Sequence, residues 1–202
     1  MTHIVLLDNF DSFTYNLVDQ FRSLGYPVTI YRNSLSAIAF EDAVTKLDNP
    51  VVVLSPGPGA PSEAGCMPDV IQRLKGKVPM IGICLGHQAI VEAYDGIVAG
   101  AGEIVHGKSA MMTHNQHAIF DGLPNPLSIA RYHSLVATKV TKQLTVTATV
   151  DDLVMAVIQE EDKVCGFQFH PESILTTQGE QLLINTLNWA LDITQSHSEN
   201  KE

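Results

Sequence analysis

Cys84 sits in the run Gly82-Ile83-Cys84-Leu85-Gly86-His87-Gln88, with a glycine two residues to either side, where an apolar stretch gives way to a helical pattern. A tight strand-to-helix turn crowds its own backbone, so glycine is required where a β-carbon would collide, and the central side chain is lifted above the sheet edge. The same placement puts the sulfur at a helix N-terminus, where unpaired N–H groups and the helix dipole favour thiolate over thiol. A lone cysteine is more often a buried structural thiol. The paired glycines argue here for a nucleophile.

A thiolate that attacks a carbonyl needs a base, a group to orient that base, and donors for the developing oxyanion. In His170-Pro171-Glu172, the imidazole can serve as base and Glu172, two residues on, can hold the ring. Taken alone, the tripeptide reads equally well as a solvated pair at a strand end. The H-x-E pattern of zinc deaminases is excluded, because it needs a later P-C-x-x-C and no cysteine follows Cys165. For the oxyanion, Ser55-Pro56-Gly57-Pro58-Gly59 leaves another apolar run, and Gly57 keeps a free N–H between two prolines that have none. The backbone N–H groups of Gly57 and Leu85 are the candidate donors.

Two further patterns suggest chemistry and are set aside. The segment 102–109 satisfies G-x-x-x-x-G-K-[ST], but Glu103, Ile104 and Val105 are poor material for a phosphate cradle, and no strong helical pattern follows Ser109. His114 and His117 have no acidic or thiol partner at a metal-binding spacing and read as a polar loop.

Positioning Cys84, His170 and Gly57 together requires a sheet with its loops at one edge. Residues 4–7, 28–31, 51–54 and 79–83 form apolar strand runs, separated by helical stretches at 13–24, 41–47 and 68–74, with a further helix at 85–94. The first helix shows an apolar stripe of Phe13, Leu17, Phe21 and Leu24, a cap at Asp11 or Ser12, and an end at Gly25. Alternation of this kind implies a parallel sheet with right-handed crossovers, and ligand sites at the carboxyl ends of its strands. Past Gly96 shorter strands and turns take over, with 153–158 and 164–169 the clearest strands. A closing helix begins near Thr177, where Glu180 completes a T-x-x-E capping pattern, and buries Leu183, Leu187 and Leu191. The organisation expected is one domain over 1–195 and a polar, frayed tail over 196–202.

Composition narrows the function classes. With 12 basic and 22 acidic side chains in 202 residues, the formal charge is −10, which disfavours a nucleic-acid partner. No apolar run approaches the length that spans a bilayer, and no basic segment precedes the first strand, so a cytoplasmic location is expected. Three cysteines without C-x-x-C spacing indicate neither a disulfide framework nor a zinc ribbon.

Together, G-I-C-L-G-H-Q around Cys84, S-P-G-P-G around Gly57, Arg131-Tyr132-His133-Ser134-Leu135 and His170-Pro171-Glu172-Ser173 resemble the class I, triad-type glutamine amidotransferases over nearly the whole chain. The opening Asp8-Asn9-Phe10-Asp11-Ser12-Phe13-Thr14-Tyr15-Asn16 narrows the likeness to subunits that serve chorismate-using synthases. Ser62-Glu63-Ala64-Gly65-Cys66 and the run 173–179 look most like the bacterial glutamine subunits of anthranilate synthase. The resemblance implies a flavodoxin-like, mostly parallel central sheet flanked by helices, with a smaller set of added antiparallel strands. It implies hydrolysis of glutamine by a Cys84, His170 and Glu172 triad, with the substrate held by Gly57, Gln88, Ser134 and Leu135. It further implies ammonia transfer to a separate chorismate-binding synthase subunit that forms anthranilate, no cofactor in this chain, and Mg2+ in the partner. The folate-route aminodeoxychorismate synthase uses a near relative and stands as the alternative, with a stand-alone cysteine hydrolase behind it. The segment 11–16, which opens the first helix at the same sheet edge, is the candidate relay for coupling to the partner.

Overall fold

The computed structural model describes residues 1–192; the expected tail at 196–202, and the end of the expected domain at 195, lie outside the described residues. The first half alternates strand and helix: β1 (His3–Asp8), α1 (Thr14–Ser23), β2 (Val28–Arg32), α2 (Ala37–Thr45), β3 (Pro50–Leu54), α3 (Met67–Leu74), β4 (Met80–Ile83) and α4 (Leu85–Ala93). Strands dominate the second half: β5 (Ile97–Gly100), β6 (Lys108–His114), β7 (Leu127–Arg131), β8 (Leu135–Lys139), β9 (Thr145–Val150), β10 (Leu153–Gln159) and β11 (Val164–Phe167), followed by α5 (Gly179–Ala190).

Nine strands form one sheet in the order β2-β1-β3-β4-β11-β10-β9-β6-β7, and β5 and β8 make a separate ribbon. The first five are mutually parallel. From β11 onward each neighbour runs antiparallel, so the added strands extend the same sheet. The chain leaves β1 toward β2 on one side and returns to β3 on the other, and this reversal opens a crevice at the carboxyl ends of β1 and β3.

The apolar runs at β1 and β3 show no polar alternation because both faces of those strands are covered. Ile4, Leu6, Val51 and Val53 pack with α1 and α5, whereas Val5, Leu7, Val52 and Leu54 pack with α2, α3 and α4. Each such side chain, fully removed from water, contributes roughly 1.5–3 kcal/mol. The result is a three-layer sandwich whose stiff centre fixes the loops at its edge.

Three local expectations change. The α1 cap is neither Asp11 nor Ser12: Asp8 Oδ1 accepts from the Phe10 and Asp11 N–H groups and the Thr14 hydroxyl, while Asp11 Oδ2 takes the Phe13 N–H in a local turn. The carboxylate at the end of β1 thus organises the loop that leads into α1, whose first turn has no side-chain cap. Helix α2 starts at Ala37 rather than near 41, because Ser36 accepts the Ala39 N–H and nucleates an earlier first turn. The Thr177–Glu180 capping pattern does not form. The Thr177 N–H and hydroxyl both donate to the Ser128 carbonyl on β7, and α5 begins two residues later behind Gln178, which is left-handed at φ 61.

Candidate active site

Cys84 caps α4 with φ 52 and ψ −100, a strained conformation for a residue with a side chain. Its backbone is tied down by a 2.7 Å hydrogen bond from its N–H to the Phe167 carbonyl at the end of β11. The flanking glycines are forced: a β-carbon on Gly82 would lie 2.5 Å from the Gly86 carbonyl carbon, and one on Gly86 would lie 2.4 Å from the Leu54 carbonyl oxygen. Strand β3, strand β4 and helix α4 therefore approach closer than any side chain allows.

His170 stands just past β11, with its N–H bonded to the Ala130 carbonyl and its own carbonyl accepting from the Thr176 hydroxyl. Its Nδ1 meets Glu172 Oε1 at 2.6 Å, and both side chains are almost entirely shielded from solvent. That contact requires the N–H to be on Nδ1, which directs Nε2 toward the thiol side. Burial alone depresses the imidazole pKa, but interaction with the Cys84 sulfur and with Glu172 outweighs it and pushes the group up to about 10. By contrast, burial pushes the thiols of Cys66 and Cys165 up.

The loop after β3 brings Gly57 against Leu85: a β-carbon on Gly57 would lie 2.6 Å from Asn9 Cβ and 2.9 Å from Leu85 Cδ2. As the first residue of α4, Leu85 has an N–H with no intrahelical acceptor. Both candidate oxyanion donors thus belong to one corner beside Cys84. A buried amide network that sequence reading missed holds the loop there. Asn9 donates its Nδ2 to the Ser55 carbonyl and its backbone N–H to the Ser55 hydroxyl, while Asn33 donates to Asn9 Oδ1.

Two hollows meet at Cys84. One, of about 180 Å³, is walled by Gly57, Gln88, Ser134 and Leu135, so the four candidate substrate-binding residues face one space. The other, of about 580 Å³, is bounded by Phe10, Asp11, Phe13, His106, Tyr132 and His170. Phe13, Tyr132 and His170 pack pairwise with ring centroids 5.0 Å apart. Phe13, expected on the helix stripe, instead braces the imidazole, together with Tyr132.

Other singled-out residues take structural places. Arg131 donates to His133 Nε2 at 3.1 Å and to Glu103, behind the pocket wall. Lys108 opens strand β6, so the G-x-x-x-x-G-K-S match lacks the helix a phosphate loop requires. His114 stacks on Phe120, and His117 pairs with Glu160. Among the described residues no group of three His, Cys, Asp or Glu side chains is placed to hold a metal ion, and no helix is long and apolar enough to cross a membrane.

Sequence reading also missed Gln168, which is fully buried between two phenylalanines and reaches the Cys84 sulfur at 3.7 Å. The available signal was a polar side chain inside an apolar run, which must find a partner.

This fold and site define a class. Residues 5–189 match the family model of class-I glutamine amidotransferases, and the chain belongs to that family. Anthranilate synthase component 2 of Vibrio parahaemolyticus is 71% identical over 95% of this chain and 98% of its own length. The protein of that name from Haemophilus influenzae is 50% identical over 95% of this chain and its full length. A solved glutamine amidotransferase from Thermotoga maritima, 16% identical, superimposes with a TM-score of 0.72 over 95% of this chain and 98% of that one.

Proposed function

We propose that this chain is the glutamine-hydrolysing subunit of a two-component anthranilate synthase. The observation that carries the chemistry is a shielded Glu172–His170 pair at 2.6 Å, beside a thiol held at a strained turn between two hollows. In this reading Cys84 Sγ attacks the side-chain amide carbon of glutamine, and the oxyanion is met by the Gly57 and Leu85 N–H groups. The His170 imidazolium gives its proton to the departing ammonia. His170 then takes a proton from the water that releases glutamate from the thioester. Glu172 holds the ring in the required tautomer throughout.

Glutamine sits in the smaller hollow, against Gln88, Ser134 and Leu135. Ammonia leaves for a chorismate-binding partner subunit, which forms anthranilate and holds the Mg2+ that chemistry needs; this chain needs no cofactor. The pair works in the cytoplasm. The names of relatives 71% and 50% identical support the anthranilate product over the folate-route alternative.

The test is Cys84→Ser in the reconstituted complex. Glutamine-dependent synthesis should fall by roughly a thousandfold or more, while synthesis from added ammonia persists. Equal loss of both would mean that Cys84 is structural.

A further inference from the structure

The Cys84 sulfur has two polar contacts with opposite preferences. Its distance to the Tyr132 carbonyl is 3.7 Å, a contact in which a thiol donates and a thiolate is repelled. Gln168 Nε2 stands at the same 3.7 Å, and its N–H binds a thiolate more strongly than a thiol. Beside the interaction with His170, the balance between thiol and thiolate responds to which end of the Gln168 amide faces the sulfur.

That choice is fixed from outside. The Leu135 carbonyl can only accept a hydrogen bond, so the Gln88 amide must turn its nitrogen toward it, at 3.1 Å. The second N–H of that nitrogen points at the Gln168 amide, 3.1 Å away, which must answer with its oxygen. With Oε1 so committed, Nε2 is the end left for Cys84. No exposed group intervenes, since Gln88 and Gln168 are 3% and 0% exposed.

We propose that Gln168 is a further catalytic residue, donating an N–H to the Cys84 thiolate, with its donor polarity imposed by the Leu135 carbonyl through Gln88. The proposal rests on Cys84 being the nucleophile. It makes one wall of the substrate hollow responsible for the state of the sulfur: Gln88 both lines the hollow and orients the amide that serves the thiolate. Displacement of the Leu135 carbonyl would free Gln88 to turn over, and Gln168 would then present oxygen to sulfur.

Iodoacetamide alkylation reads the thiolate directly and involves no glutamine. It is measured against pH on the full chain carrying Cys66→Ser, which leaves Cys84 and the fully buried Cys165. Gln168→Met keeps the shape and removes the donor. It should slow alkylation at neutral pH by about tenfold, moving the inflection up by about one pH unit. Gln88→Met should slow it in the same direction, which loss of a purely substrate-binding contact would not do. Gln168→Glu, which keeps an acceptor for Gln88 and offers the sulfur no donor, should slow it at least as much. Melting temperatures identify any variant that has lost its fold. Profiles of folded variants that superimpose on the parent would overturn the proposal. Resistance of the parent Cys84 itself would overturn the nucleophile reading, and this role of Gln168 with it.

Discussion

The two hollows that share Cys84 differ in construction. The smaller is walled by the Gly57 loop, Gln88 and residues 134–135, held by hydrogen bonds from Asn9 to Ser55 and from Gln88 to the Leu135 carbonyl. The larger is walled by side chains of the segment between β1 and α1 and by aromatic rings, with Phe10 52% exposed at its rim. Backbone amides fixed by a sheet can specify one small polar substrate. Rings packed by dispersion can yield when a second surface presses on them. The contrast predicts recognition at the first hollow and coupling at the second.

That division predicts a graded series of mutational effects. The largest effect is expected at the shared boundary, where His170→Ala should lower glutamine hydrolysis in the complex by about a thousandfold or more, and Glu172→Ala by less. Supplying the proton matters more than orienting its carrier. Single-turnover rates decide the ranking, and a worse Glu172 variant would refute the orienting role.

Next is the smaller hollow. Gln88→Ala should raise KM for glutamine by about tenfold or more and leave ammonia-dependent synthesis intact. An unchanged KM would remove Gln88 from substrate recognition.

A stability effect separates the support behind both hollows from the hollows themselves. His87, fully buried behind Cys84, is held neutral by burial, its pKa lowered from 6.5 to about 3. The unfolded chain binds that proton first, so between those values stability declines as pH falls, by about 1.4 kcal/mol per pH unit from this residue. Melts from pH 7 to pH 4 should show a shallower slope in His87→Gln, and parallel slopes would contradict it.

On the larger hollow, Phe10→Ala should leave glutamine KM and basal hydrolysis by the free subunit unchanged, and reduce the stimulation that the partner brings by a few-fold. Equal rates for the free subunit and the complex, with and without chorismate, would remove the coupling role altogether. The smallest effect is none: Lys108→Ala should change no nucleotide affinity in calorimetry, because Lys108 begins a strand.

How much was legible beforehand follows the same division. Gly82 and Gly86 announced the Cys84 turn because a steric demand for a missing β-carbon leaves a mark in the sequence that no other constraint imitates. The strands β1 and β3 were legible as unbroken apolar runs, since burial on both faces removes alternation. The role of Asp8 in ordering the loop before α1 was not legible, because its carboxylate comes from the end of the preceding strand and reaches forward to Phe10, Asp11 and Thr14. Thr177 looked like a cap and became a tie to Ser128 when β7 passed beside it.

The sequence by itself determined the Cys84 turn, its flanking glycines and the alternating architecture, all of which rest on local sterics and hydrophobic period. The tertiary structure alone decided which end of the Gln168 amide meets the sulfur, that Phe13 and Tyr132 brace His170, and that Asn9, Ser55 and Asn33 fix the Gly57 loop. These are contacts between residues 24 to 157 positions apart, with Gln168 and Cys84 separated by 84, and hydrogen-bond direction has no period to read. It exists only once a carbonyl such as that of Leu135 has been placed by its own strand.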